Sequence, residues 1–154
     1  MIKSRILVAE DDRYLAALIR QTLESHGFAI TLAHNGEEAL LKADMTCPDL
    51  VLLDVSMPVM DGLTALRSLR ANRFHSRVPV LMLTAARSES DVRDALSNGA
   101  SDYLVKPFRP DVLIRRVERL LGSIHNLTDG FDRFGQKIGS QSNVLILDDA
   151  PLAE

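Results

Sequence analysis

Short apolar runs alternate along the chain with stretches whose apolar residues recur at helical spacing. The runs are Ile6-Leu7-Val8-Ala9, Phe28-Ala29-Ile30-Thr31-Leu32, Leu50-Val51-Leu52-Leu53, Val78-Pro79-Val80-Leu81-Met82-Leu83 and Tyr103-Leu104-Val105. Most are apolar at successive positions rather than alternating ones, the mark of strands covered on both faces, as in a parallel sheet. Pro79 donates no backbone hydrogen bond and is expected at the start of its strand. Between the runs, Leu15, Leu18, Ile19 and Leu23 predict a first helix that Gly27 can close. A second spans Glu37 to Ala43 and stops at Cys47-Pro48. A third begins near Leu63, with Leu66 and Leu69 facing inward. A fourth runs from Ser88 to Asn98, burying Val92, Ala95 and Leu96, with Gly99 after its end. Pro110 suits the first position of a fifth, which buries Val112, Leu113, Val117, Leu120 and Leu121. Parallel strands joined by helices need right-handed crossovers. The prediction is therefore an α/β fold: a doubly wound five-stranded parallel sheet with five helices on its two faces.

Composition narrows the classes without naming one. The chain has 154 residues, 46% of them hydrophobic and 25% charged, enough to bury a core without disulfides or a structural metal. Cys47 stands alone, which excludes an intrachain disulfide and a multi-cysteine metal site. Eighteen basic against twenty-one acidic side chains argue against a dedicated nucleic-acid binder. The apolar run after the charged start is cut short by Glu10-Asp11-Asp12. It is too short for a signal peptide or a membrane span, so a cytoplasmic protein without membrane contact is expected.

The chemistry lies just past the end of each strand, because ligands of such sheets bind outside the carboxyl ends of the strands. Strand one leads into Glu10-Asp11-Asp12, strand three ends in Asp54, strand four in Thr84 and strand five in Lys106-Pro107. Strand two offers only His34. With strands in the order 2-1-3-4-5, the four contributing strands are contiguous and the silent one lies at the edge. Two carboxylates about 4 Å apart repel by roughly 4 kcal/mol at an effective dielectric near 20. Glu10, Asp11 and Asp54 together therefore call for a cation, and hard oxygen ligands suit Mg²⁺. A Mg²⁺ site with a lysine and a hydroxyl fits a phosphoryl group, whose oxygens need charge compensation. A carboxylate can itself be the nucleophile that accepts the group, and Asp54, ending the central strand, is the best placed.

These residues carry a resemblance. ILVAEDD at 6–12, LVLLDVSMPVMDG at 50–62, LMLTAA at 81–86 and GASDYLVKPF at 99–108 resemble, in order and spacing, the receiver domain of bacterial two-component response regulators. The resemblance covers residues 3–121 and implies a flavodoxin-like fold. It implies that Asp54 is the phosphoacceptor and that Glu10 and Asp11 organise Mg²⁺, Asp11 directly and Glu10 through water. The Ser56 carbonyl would add another metal ligand. Thr84 would bond the phosphoryl group, Tyr103 would turn inward when Thr84 moves, and Lys106 would contact a phosphoryl oxygen beside a cis Lys106–Pro107 peptide. The implied partner is a sensor histidine kinase or a histidine phosphotransfer protein. The surface of helix four, strand five and helix five would carry the output. A homodimer through that surface stays open. Val92 and Val112 depart from the charged residues usual in winged-helix regulators, although Asp102 and Arg116 still fit one cross-interface ion pair.

Blander roles suit other residues. Asp12 and Asp61 are expected to start helices, and Pro58 and Asp61-Gly62 to shape the loop after Asp54. His26, His34, His75 and His125 are read as surface residues, Met57 and Met60 as loop packing, and Cys47 as small and buried. Ser56 and Ala86, both small, predict open water access and a phosphorylated lifetime well short of many hours. Residues 1–122 are expected to form the receiver, and 123–154 a linker or tail. That tail holds two basic and five acidic residues and offers no grip on nucleic acid. Its stretch Ser142 to Asp149 resembles Ser4 to Asp11. It is read alternatively as the start of a second receiver, of an effector domain, or as a strand for a sheet edge, in a chain cut from a longer regulator. Two competing functions remain. A Mg²⁺-dependent phosphatase with an aspartate nucleophile usually carries that nucleophile after the first strand in a DxD pattern, which is absent here. A nucleotide-binding module would need a glycine-rich phosphate loop, also absent.

Overall fold

In a computed structural model, residues 2–85 and 89–129 are described, with side chains to residue 122. The strands are β1 (Arg5–Ala9), β2 (Ala29–Ala33), β3 (Leu50–Asp54), β4 (Val80–Thr84) and β5 (Asp102–Val105). The helices are α1 (Arg13–Glu24), α2 (Gly36–Thr46), α3 (Gly62–Ala71), α4 (Glu89–Ser97) and α5 (Pro110–Asp129). All four strand pairings are parallel, in the order β2-β1-β3-β4-β5. The expected fold is the observed one, and Pro79 directly precedes β4.

Two cores explain the unbroken apolar runs. Ile6 and Val8 of β1, with Leu50, Leu52, Leu81 and Leu83, pack on one face against α1 and α5. Leu7 and Ala9, with Val51, Leu53, Val80 and Met82, pack on the other against α2, α3 and α4. Each central strand therefore buries both its odd and its even positions. The edge strands β2 and β5 are only partly covered.

Several side chains stand differently from the pattern. Leu18 of α1 and Leu96 of α4 are exposed, Leu96 at 45%, while Val92 and Leu120 are half-buried. Cys47 is exposed, not buried: it closes α2 in the left-handed conformation, with φ 45°, which turns its side chain outward. Gly27, with φ 88°, makes the turn after α1 that an L side chain would resist. His75 is 6% exposed, and its Nε2 lies 2.7 Å from Asp44 Oδ1. A carboxylate partner lets the ring be buried, so the surface reading fails for that histidine. The readings of Ala86, of the His125 side chain and of residues 130–154, including the stretch from Ser142 to Asp149, lie outside the described residues.

Candidate functional site

The carboxyl edge of the sheet gathers side chains that the sequence holds far apart. Parallel strands all deliver their last residues to one edge, so β1, β3, β4 and β5 bring Glu10, Asp11, Asp54, Thr84 and Lys106 together. Ligand oxygens of Glu10, Asp11 and Asp54 lie within 4.8 Å of one another. Glu10 is fully buried and Asp54 is 4% exposed, while Asp11 faces solvent. Lys106 Nζ is 2.5 Å from Glu10 Oε1 and 3.1 Å from Asp54 Oδ1. The other Glu10 oxygen accepts from the Asp12 backbone N–H at 3.1 Å.

Burial sets the electrostatics. It pushes the Glu10 carboxyl up from 4.5 to about 7; the hydrogen bonds from Lys106 and Asp12 pull it back, and neighbouring Asp54 adds to the rise. Burial pulls the Lys106 ammonium down, but its bonds to Glu10 and Asp54 outweigh that and raise it overall. Among the described residues, one lysine thus stands against a cluster of three acids. This excess of negative charge, on oxygen ligands with one exposed member open to solvent, fits a hydrated divalent cation such as Mg²⁺.

Loops on each side are fixed by short backbone contacts. Asp12 caps α1, its side chain accepting from Tyr14 and Leu15 N–H, and so is spent on the helix. Asp61 caps α3 by accepting from Thr64 N–H at 2.8 Å, which holds its carboxyl below the usual carboxylate range. A Cβ at Gly62 would stand 2.0 Å from the Asp54 carbonyl oxygen, so only glycine fits there. Gly62 N–H donates to Val55 C=O at 2.8 Å, closing the β3–α3 loop on itself. Ser56 and Pro58 are exposed on that loop, and Val59 adopts φ 69°. Lys106–Pro107 is cis. Thr84 is 6% exposed at the end of β4, and its carbonyl accepts from Lys106 N–H at 2.7 Å. A cavity of about 60 Å³ adjoins Thr84 and Tyr103, walled by Val55, Leu63, Val92 and Ala95.

The structure therefore brings together Glu10, Asp11, Asp54 and Lys106, and places Thr84 and Tyr103 around one small cavity. Asp102 and Arg116, read as candidates for a pair across a dimer, contact each other within the chain: Arg116 Nη1 is 3.0 Å from both Asp102 oxygens. His34 was missed. It is half-buried, and its Nδ1 lies 3.3 Å from the Glu10 carbonyl oxygen. The available signal was its place directly after the carboxyl end of β2.

The model of the response regulator receiver domain matches residues 6–118. The transcriptional regulatory protein CpxR of Escherichia coli (strain K12) is 43% identical over 122 residues, 79% of this chain and 51% of CpxR. The chain thus spans about half the length of that relative. The chemotaxis response regulator CheY4 of Vibrio cholerae superposes with a TM-score of 0.74 at 31% identity, over 77% of this chain and 99% of CheY4. The receiver domain of sensor histidine kinase PA1611 from Pseudomonas aeruginosa PAO1, solved with a magnesium ion coordinated in its active site cleft, superposes at 0.73 and 36% identity, over 79% and 99%.

Proposed function

The chain belongs to the response regulator receiver domain family, and from that premise we propose that Asp54 accepts a phosphoryl group from a phosphohistidine on a sensor histidine kinase or a histidine phosphotransfer protein. The observation that carries this reading is the meeting of Glu10, Asp11 and Asp54 within 4.8 Å, with Lys106 Nζ 3.1 Å from Asp54. Asp11, Asp54 and the Ser56 carbonyl would hold Mg²⁺, with Glu10 acting through water. The ion, when bound, supplies positive charge to the phosphoryl oxygens. An Asp54 carboxylate oxygen forms the new bond to phosphorus as the bond to the donor imidazole nitrogen breaks, giving an acyl phosphate. Lys106 turns from its acidic neighbours to the incoming phosphoryl oxygens, and the Thr84 hydroxyl donates to one of them. The small cavity beside Thr84 gives Tyr103 room to move inward, which reshapes the surface of α4, β5 and α5. Water attack on the acyl phosphate resets the state, and the chain otherwise has no turnover of its own.

An apolar groove of about 450 Å³ supports the docking of a helical donor. Leu15, Leu18 and Ile19 of α1 face Pro107, Phe108 and Leu113 across it, and Lys106 joins it to the site. The half-exposed Leu18 is then a contact residue, not a misplaced core one. In this reading residues 1–122 are the receiver, and 123–154 link it to an output or begin a second domain. A homodimer would use the α4-β5-α5 surface, where Asp102 is already paired within its own chain. The reading places the chain in the cytoplasm. Among the described residues no helix is long and apolar enough to cross a membrane.

Acetyl phosphate with Mg²⁺ tests the reading. One phosphoryl group per chain is expected by intact-mass spectrometry, lost with EDTA and in Asp54→Asn. Labelling of Asp54→Asn to the same extent would remove the reading. Multiple turnover of small phosphomonoesters would favour the phosphatase.

A further inference from the structure

Strand β2 is the one strand that brings no acid, hydroxyl or amine to the site, and the phosphoacceptor chemistry uses none of its residues. Its loop nevertheless touches both halves of the site. We infer that the β2–α2 turn, His34-Asn35-Gly36, is a strut that positions the acidic loop through the Glu10 carbonyl and the phosphoacceptor loop through the Met60 carbonyl. The inference rests on reading Glu10, Asp11 and Asp54 as a metal-holding phosphoacceptor site.

The first contact is the His34 ring. The ladder between β1 and β2 ends where Glu10 N–H donates to Ala33 C=O at 3.0 Å. Glu10 is fully buried, so its own carbonyl has no water to turn to. The His34 Nδ1, 3.3 Å away, takes that place. A carbonyl gives no proton, so Nδ1 must carry the hydrogen. A buried carbonyl that lost this partner would have to move to find another, and Asp11 and Asp12 follow it directly in the chain.

The ring hangs from a closed polar frame. His34 N–H donates to Glu38 Oε2 at 3.3 Å, and Lys42 Nζ holds Glu38 Oε1 at 2.8 Å. Lys42 also donates to Leu32 C=O at 2.6 Å, back on β2. Asn35 caps α2, accepting from Glu38 N–H at 2.8 Å.

The second contact is Gly36. Its N–H donates to Met60 C=O at 2.9 Å. A Cβ there would lie 2.6 Å from that same oxygen and 2.9 Å from Met60 Cγ. Met60 is two residues before Gly62, which packs on the Asp54 carbonyl. Displacement at Gly36 therefore reaches Asp54 through a short, pinned segment.

Magnesium titration followed by amide NMR, with no phosphodonor, tests the strut on the full chain. Variants are His34→Ala, Gly36→Ala and His34→Asn, whose amide N–H reaches about as far as Nδ1. For His34→Ala the Mg²⁺ Kd is expected to rise about tenfold, as for other groups that orient metal ligands. Hydrogen exchange at the Asp11 and Asp12 amides should quicken in the metal-free protein, and His34→Asn should restore most of both. Gly36→Ala is expected to shift the amides from Val55 to Met60. A purely structural role would lower the melting temperature of His34→Ala and leave Kd unchanged; a Kd within twofold of wild type overturns the inference. Should wild type bind no Mg²⁺, the phosphoacceptor reading falls instead. The exchange rates at Asp11 and Asp12 then decide the strut, and unchanged rates in His34→Ala overturn it.

Discussion

Each edge of the sheet buries an ionic cluster, and the two clusters have opposite balances. At the carboxyl edge, Lys106 is the one cation among the described residues paired with the cluster of Glu10, Asp11 and Asp54. At the amino edge Asp102, the first residue of β5 and 5% exposed, meets Arg116 on both oxygens at 3.0 Å and Arg119 at 2.7 Å. Nearby, Arg70 donates to the carbonyls of Gly99 and Val78 at 2.8 and 2.6 Å, and Gly99 leaves that guanidinium the room a Cβ would take. The amino-edge acid is saturated by cations of its own chain. Among the described residues the carboxyl-edge acids are left in excess, a balance that a bound cation would correct. Burial is common to both clusters; charge imbalance is what separates a site from a brace.

Breaking each cluster should therefore have opposite effects. The largest is functional: Asp54→Asn is expected to lose all acetyl phosphate labelling. It should also leave the metal-free protein at least as stable to urea as wild type, since one of three crowded acids is gone. A clear fall in stability would mean that the carboxyl edge is a brace as well.

Next comes Asp102→Ala, which removes the carboxylate that the buried Arg116 and the partly buried Arg119 share. A loss of about 3–5 kcal/mol is expected from urea denaturation, with the folded fraction still labelled on Asp54. A loss near zero would erase the contrast between the edges.

Acidity sharpens it further. The folded-state pKa of Glu10, about 7, stands above its ordinary 4.5, so folding favours its protonated form. The stabilisation this gives is complete below 4.5 and is lost as pH rises to about 7. Metal-free protein is expected to lose on the order of 2 kcal/mol across that window. Mg²⁺ competes with that proton, so it should stabilise more at pH 8 than at pH 5.5. Denaturant melts with EDTA and with Mg²⁺ at both values check this, and Asp102→Asn should leave the Mg²⁺ dependence in place.

The smallest effect is at Val59, a β-branched residue held at φ 69° on the exposed loop. Val59→Gly relieves that strain and is expected to add about 1 kcal/mol, read from the same melts.

The sequence carried the sheet because the central strands hold runs of four apolar residues at successive positions, a pattern that two-sided cover explains. Glu10, Asp54, Thr84 and Lys106 stood out as candidates because each directly follows an apolar run, with Asp11 next to Glu10, and the fold brings Glu10, Asp11, Asp54 and Lys106 together. The sequence was weaker on helix faces: Leu18 and Leu96 obey helical spacing yet stand exposed, since periodicity marks a stripe without fixing how wide the cover over it is. His75 and Cys47 went wrong for a related reason. The burial of His75 depends on Asp44, distant in sequence, and the exposure of Cys47 depends on a left-handed cap that its residue type does not announce. His34 was read as a surface residue because its partner is a backbone carbonyl, which no side-chain motif encodes.

Gly62 has a consequence for how such a domain can diversify. With its backbone pressed on Asp54 and its N–H bound to Val55, the β3–α3 loop is clamped at both ends. The exposed residues between, Ser56, Pro58 and Val59, can be exchanged to suit different donors while the carboxylate keeps its station. Recognition and reactivity become separately inheritable, and the freedom to alter one without the other comes from a single position that tolerates no side chain.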